Sequence, residues 1–91
     1  MKKEVEFKNI DRFVQLGVTI GALRKLKGMS QEQLAEKANM SRSHLSVIEA
    51  PKIVRPFSLE ILFNIADALE MDVIELLEAS RQLDRTNKKE D

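Results

Sequence analysis

The chain has 91 residues, enough for one domain with one modest core, and its 43% hydrophobic and 33% charged residues suit a soluble globular domain rather than a disordered or membrane chain. No stretch approaches the ~18 apolar residues of a membrane span. The opening "MKKEVEFKNI" has no apolar run of a signal peptide, and the absence of cysteine removes disulfides, thiolate metal sites and cysteine nucleophiles together. A cytoplasmic setting is compatible with all of this.

Taken in chain order, residues 1–10 read as an N-terminal arm, with Val5 and Phe7 alternating like a short extended segment. From about Asp11 the spacing turns helical. Phe13, Leu16, Ile20 and Leu23 recur at intervals of three and four and line one face. This first helix should end at Lys27, with Gly28 as its left-handed stop. Ser30 then reads as an N-cap, and Gln33 three residues on completes a capping box. Leu34, Ala35 and Ala38 form the inward stripe of the second helix.

Asn39 tolerates the left-handed backbone that a sharp turn between helices needs. Ser41 caps a third helix over 41–49, whose inward residues are Leu45 and Ile48. The stretch from Ala50 to Phe57 holds both prolines and breaks helicity. Ser58 caps a fourth helix carrying Leu59, Leu62, Ile65, Ala66 and Leu69, with Phe57 and Leu62 at the positions of a hydrophobic staple. Met71 and Asp72 interrupt, and Val73, Leu76 and Leu77 begin a fifth helix running towards "ASRQLDR". The expected organisation is an all-α, five-helix domain over 11–80 with a charged tail over 81–91.

Net charge is zero, which argues against indiscriminate coating of nucleic acid, but the charges are unevenly placed. From Arg24 to Arg55 there are seven bases against three acids, whereas from Pro56 to Ser80 there are six acids and no base. One side can therefore face phosphates while the other faces water or a partner. Ordinary solvated faces would produce the same count. Ile61 and Ile74 fall off the inward stripes and stand either as isolated exposed residues or, with the last helix, as a self-association surface.

Two short helices joined by a tight turn have a physical use in reading DNA. The first braces across the backbone while the second lies in the major groove with its N-terminal residues at base edges. The unit needs a small residue at the close crossing, a turn residue that can go left-handed, and apolar anchors. Ala35, Asn39 and the Leu45/Ile48 pair fill those roles, although helical hairpins that bind no DNA are also common. With Leu45 and Ile48 inward, Arg42, Ser43, His44, Ser46 and Val47 lie on the outer face. Arg42 is the best base reader, because a guanidinium can bond guanine O6 and N7 together. Ser43 and Ser46 can bond bases or phosphates. Val47 suits a thymine methyl group or else half-buried packing. His44 is the only histidine and lacks the partners of a metal site or catalytic triad. It reads as a phosphate or base contact, or as a solvated side chain. No catalysis, metal or cofactor is expected.

"IGALRKLKGMSQEQLAEKANMSRSHLSVIE", followed by "RPFSLEILFNIADALEMDVIELL", resembles the Cro/repressor-type helix-turn-helix (XRE) family over roughly residues 13–78. The resemblance implies the lambda-repressor-like five-helix fold and a transcriptional regulator of double-stranded DNA, expected to repress as a homodimer on a partly palindromic operator. It gives Gln31 a phosphate-clamping role at the start of the second helix, where Ser41 at the start of the third is expected to join it. It pairs Arg24 with Glu49, which would pin the reading helix and keep its carboxylate from repelling phosphates; otherwise Arg24 is a plain surface charge. It places Lys52 and Arg55 against the sugar-phosphate backbone, where they would set affinity rather than sequence preference; otherwise they are solubilising charge. The family's usual glycine after the helix-ending glutamate is replaced here by "EAPKIVRP", so Pro51 should stiffen and redirect that loop. A second use of the same fold is as the antitoxin of a toxin–antitoxin pair, with the tail from Arg81 neutralising a partner protein.

Overall fold

Serines begin three of the helices. In a computed structural model that describes residues 5–88, with side chains through residue 82, the helices are α1 (Ile10–Leu26), α2 (Gln31–Lys37), α3 (Arg42–Glu49), α4 (Leu59–Ala68) and α5 (Val73–Lys88). The hydroxyls of Ser30, Ser41 and Ser58 each accept the backbone N–H three residues on, at 3.0, 3.0 and 3.1 Å. Ser30 completes the predicted capping box, its own N–H donating to Gln33 Oε1 at 2.9 Å. Asp72 does the same for α5, accepting from Ile74 N–H while its own N–H donates to Glu75 Oε1. The interruption at Asp72 is thus a cap.

Three helix ends repeat one device. Gly28, Asn39 and Glu70 take φ of 74°, 58° and 59°, and each is followed by methionine. The N–H of Met29, Met40 and Met71 donates back to Arg24, Ala35 and Ala66 respectively, while the left-handed residue itself donates to Lys25, Glu36 and Asp67. These paired bonds are the Schellman closure. Met29, Met40 and Met71 all pack against the core, supplying the apolar contact that goes with that closure.

At the amino end, Val5 and Phe7 do not form an extended segment. Phe7 opens a 3-10 turn over Phe7–Asn9 and is 89% exposed, since an isolated strand would leave its backbone groups without partners. At the other end α5 continues to Lys88, well into the expected tail. Residues 1–4 of the arm and 89–91 of the tail lie outside the described residues.

Helix α1 packs on α3 and α5, α2 on α3 and α4, and α4 on α5. Ile20, Leu34, Leu45, Ile65, Leu69 and Leu76 are fully buried at the centre, so every helix contributes to one core, Leu69 from the cap that closes α4. Phe57 packs against this core and meets Phe13 edge-to-face, with ring centroids 5.3 Å apart. Two expected inward residues are outside. Leu59 is 63% exposed and Leu77 45%. At ~100° per residue, Leu59 is turned roughly 70° from the mean direction of Leu62, Ile65, Ala66 and Leu69, and Leu77 about 100° from Leu76. Ile61 is half-buried against the core, whereas Ile74 is exposed.

Helices α1 and α3 cross closely. A Cβ on Gly17 would overlap the backbone carbonyl oxygen of Ile48, and one on Gly21 would lie 3.2 Å from Glu49 Oε1. The small residue that this fold needs at that close approach is therefore Gly17, in addition to the buried Ala35 between the two short helices.

Candidate nucleic-acid interface

The turn between α2 and α3 is set by Asn39 and Ser41. Asn39 in the left-handed region reverses the chain, and Ser41 (φ −76°, ψ 150°) starts α3 at once. Leu45 and Ile48 anchor α3 to the core at 0% and 6% exposure, which fixes the face that α3 turns outward. At ~100° per residue, Ser43 lies nearly opposite those anchors, with Ser46 and Val47 on either side of it. Arg42 and His44 sit at the two margins of that face. Arg42 and Ser43 are exposed, and His44, Ser46 and Val47 are half-buried. The centre of the outward face is thus small and uncharged, and its one cation at the helix start is Arg42.

Behind the face lies a buried ion pair, far less exposed than the other ion pairs among the described residues. The Arg24 and Glu49 side chains are 9% and 8% exposed. Arg24 Nε donates to Glu49 Oε2 at 2.9 Å and Nη2 to Oε1 at 3.0 Å, a two-pronged contact whose planar geometry favours arginine over lysine. Arg24 Nη1 donates to the Met29 carbonyl at 2.8 Å, so the same guanidinium also holds the connection into α2. Gln31 adds a bond that sequence reasoning did not foresee, its Nε2 donating to Glu49 Oε1 at 2.9 Å. The end of α1, the start of α2 and the end of α3 are joined through one carboxylate.

Not every candidate joins this cluster. Ser41 is exposed, and its hydroxyl oxygen already accepts the His44 N–H; the hydroxyl proton remains available as a donor. Lys52 and Arg55 are exposed in the loop between α3 and α4. That loop follows the path expected of Pro51: Ala50 is extended at φ −75°, ψ 121°, and Ile53 N–H closes a turn on the Ala50 carbonyl at 3.3 Å. Gly17 and Gly21 were missed as well. Their signal was present, since Gly17, Gly21 and Arg24 follow the i, i+4, i+7 spacing of one helix face.

An outward helix held by a capped left-handed turn, a buried carboxylate clamp and a basic loop defines a helix-turn-helix domain. Comparison with known proteins gives the same class. A helix-turn-helix family model matches residues 20–76, and the chain belongs to that family, in its Cro/repressor (XRE) branch. It is 47% identical over 58 residues to an immunity repressor protein of Bacillus phage phi105, covering 64% of this chain and 39% of that protein. The chain thus spans about two-fifths of that relative's length. Among solved structures it is similar to the restriction-modification controller protein C.AhdI from Aeromonas hydrophila, at 33% identity and TM-score 0.67, covering 72% of this chain and 97% of that one. It is also similar to SinR, a master regulator for biofilm formation solved in complex with DNA, at 37% identity and TM-score 0.61, with 68% and 97% covered.

Proposed function

We propose that this chain is a sequence-specific DNA-binding transcriptional regulator, most simply a repressor, that reads the major groove with α3. The observation that carries the reading is the outward face of α3, anchored by Leu45 and Ile48, with Arg42 at its start and the exposed Lys52 and Arg55 in the loop that follows it. Arg42 is assigned to base readout. Ser43, Ser46 and Val47 form a shallow central surface that lets the helix approach the bases, and His44 serves one margin. Gln31, Ser41, Lys52 and Arg55 are assigned to phosphates, which position the domain without reading sequence. Family membership and the DNA-bound SinR relative support this reading. The phage repressor and the controller protein among the relatives favour a regulator over an antitoxin.

The protein is read as a binding module rather than an enzyme, acting in the cytoplasm where its DNA is; none of the helices in the described residues is long and apolar enough to cross a membrane. A second copy is part of the proposal, because two α3 helices on a two-fold site supply specificity that one small domain lacks. Selection from random duplex DNA, followed by affinity measured across salt, tests the whole reading. The expected result is an enriched two-part motif with a steep fall in affinity as salt rises, from counterion release. Absence of both an enriched motif and salt-sensitive binding would overturn it.

A further inference from the structure

We infer that Glu49 is a positioning residue for DNA contact: its carboxylate aims the side-chain amide of Gln31 at a backbone phosphate. The inference rests on the DNA-binding reading above and deepens it, since it turns two separate assignments, a structural ion pair and a phosphate contact, into one device.

The argument starts from what each group can donate. A carboxylate only accepts, so the end of the Gln31 amide that faces Glu49 Oε1 at 2.9 Å is the NH2 group. An amide nitrogen carries two hydrogens, and one of them is committed to Glu49. The second has no partner among the described residues. It is the neutral donor that a phosphate oxygen at the start of α2 would take.

Glu49 does this without repelling DNA because Arg24 neutralises it. Both guanidinium bonds, at 2.9 and 3.0 Å, end on the same carboxylate, and neither side chain is more than 9% exposed. A glutamine on an open surface would have to be ordered on binding. Here it is held in place beforehand, which lowers the entropy lost when the complex forms. Arg24 also grips the Met29 carbonyl at 2.8 Å, so the backbone carrying Gln31 is fixed as well as its side chain. The seat of α2 on phosphate and the seat of α3 in the groove are then set by one carboxylate.

Replacing Glu49 by glutamine makes the test selective. An amide at position 49 keeps one oxygen where three donors now end, two from Arg24 and one from Gln31, so it cannot satisfy all three. The charged guanidinium competes best for that oxygen, and the hold on the Gln31 amide is weakened or lost. The experiment is a double-mutant cycle on Gln31→Met and Glu49→Gln, read as affinity for a duplex recovered by the selection above. In the wild-type background Gln31→Met should weaken binding about fivefold, the net worth of one hydrogen bond. In the Glu49→Gln background the same change should cost less than twofold. The salt slope should stay unchanged on Gln31→Met, since the amide is neutral and releases no counterion. An equal loss in both backgrounds overturns the positioning role while leaving the DNA reading intact. A wild-type protein that binds no duplex overturns the DNA reading itself. Should Glu49→Gln not fold, side-chain amide NMR on the wild type decides. One Gln31 amide proton should be protected from exchange in the free protein, and the other should shift on adding the duplex. If that second proton does not move, the inference fails.

Discussion

At the scale of single residues, the two sides of α3 call for opposite experimental signatures. Glu49 is buried against Arg24, and removing one member of a buried, hydrogen-bonded ion pair costs ~3–5 kcal/mol, because the other charge is left without a partner. Glu49→Ala should therefore lower the melting temperature by roughly 15–25 °C for a domain of this size, as followed by circular dichroism. An unchanged melting curve would mean that the ion pair contributes nothing to the fold. On the outer side the same probe should barely move. Arg42→Ala should leave stability within about 0.5 kcal/mol, as surface changes do, yet relax preference at one base pair by roughly 1–3 kcal/mol. Lys52→Ala should weaken all duplexes alike and reduce the salt slope by about one. Competition binding against single-base variants of the selected site separates these two outcomes. The outer residues were legible in the sequence because helical period alone turns Ser43 away from Leu45 and Ile48. The Gln31–Glu49 bond was not. The two residues are 18 apart, and no local spacing brings them together; only the crossing of α2 and α3 does.

Helix boundaries follow from local chemistry, and that is why most of them could be read in advance. Ser30, Ser41 and Ser58 cap as expected, and Gly28 and Asn39 stop their helices as expected. The end of α4 was legible only from the interruption at Met71 and Asp72 and not from a stop residue, for a physical reason: its left-handed residue is Glu70, which lacks the usual tolerance for that conformation. The Met71 and Ala66 contacts hold it there regardless. The conformation is a cost that substitution can remove. Glu70→Gly should stabilise the protein by about 1 kcal/mol, and Gly28→Ala should destabilise it by a similar amount, since no atom lies within 4 Å of a Cβ built on Gly28. Gly17→Ala is a different kind of change. Its added methyl meets the backbone carbonyl of Ile48, which cannot rotate away, so α1 and α3 must separate. A loss of ~1–3 kcal/mol or more is expected for such overpacking, together with weakened DNA binding from the displaced reading helix. Parallel urea titrations of the three variants would show whether they order as +, − and −−. A Gly17→Ala protein as stable as wild type would show that the crossing is looser than the geometry requires.

At the scale of the whole molecule, uneven charge decides how a neutral chain can bind a polyanion. The stretch from Arg24 to Arg55 carries seven bases against three acids and includes α2, α3 and the following loop. The stretch from Pro56 to Ser80 carries six acids and no base, and forms α4 and the first half of α5. A domain so divided is drawn to phosphate by one half and repelled by the other, which orients it during approach. One such domain is still a weak reader. A single module buries only ~600–1,000 Å² on DNA, and here the outward face of α3 has one guanidinium. The proposed second copy resolves this, and geometry then sets the site: two half-sites with centres about 10–10.5 base pairs apart, or a multiple, on one face of the duplex. Selected sequences should show that spacing, and inserting five base pairs between the halves should abolish tight binding while leaving weak single-site binding. Association without DNA can be tested at Ile74, which is 71% exposed on α5 and stands on the acidic half. Ile74→Glu removes apolar surface and adds a seventh negative charge there, at no cost to the buried core. If a second copy docks through this helix, sedimentation equilibrium should show the variant as a monomer at concentrations where the wild type is dimeric, with its melting curve at low concentration unchanged. Dimers that survive the substitution would move the contact to another face of the molecule, and a monomeric wild type would leave DNA as the only thing that pairs the two copies.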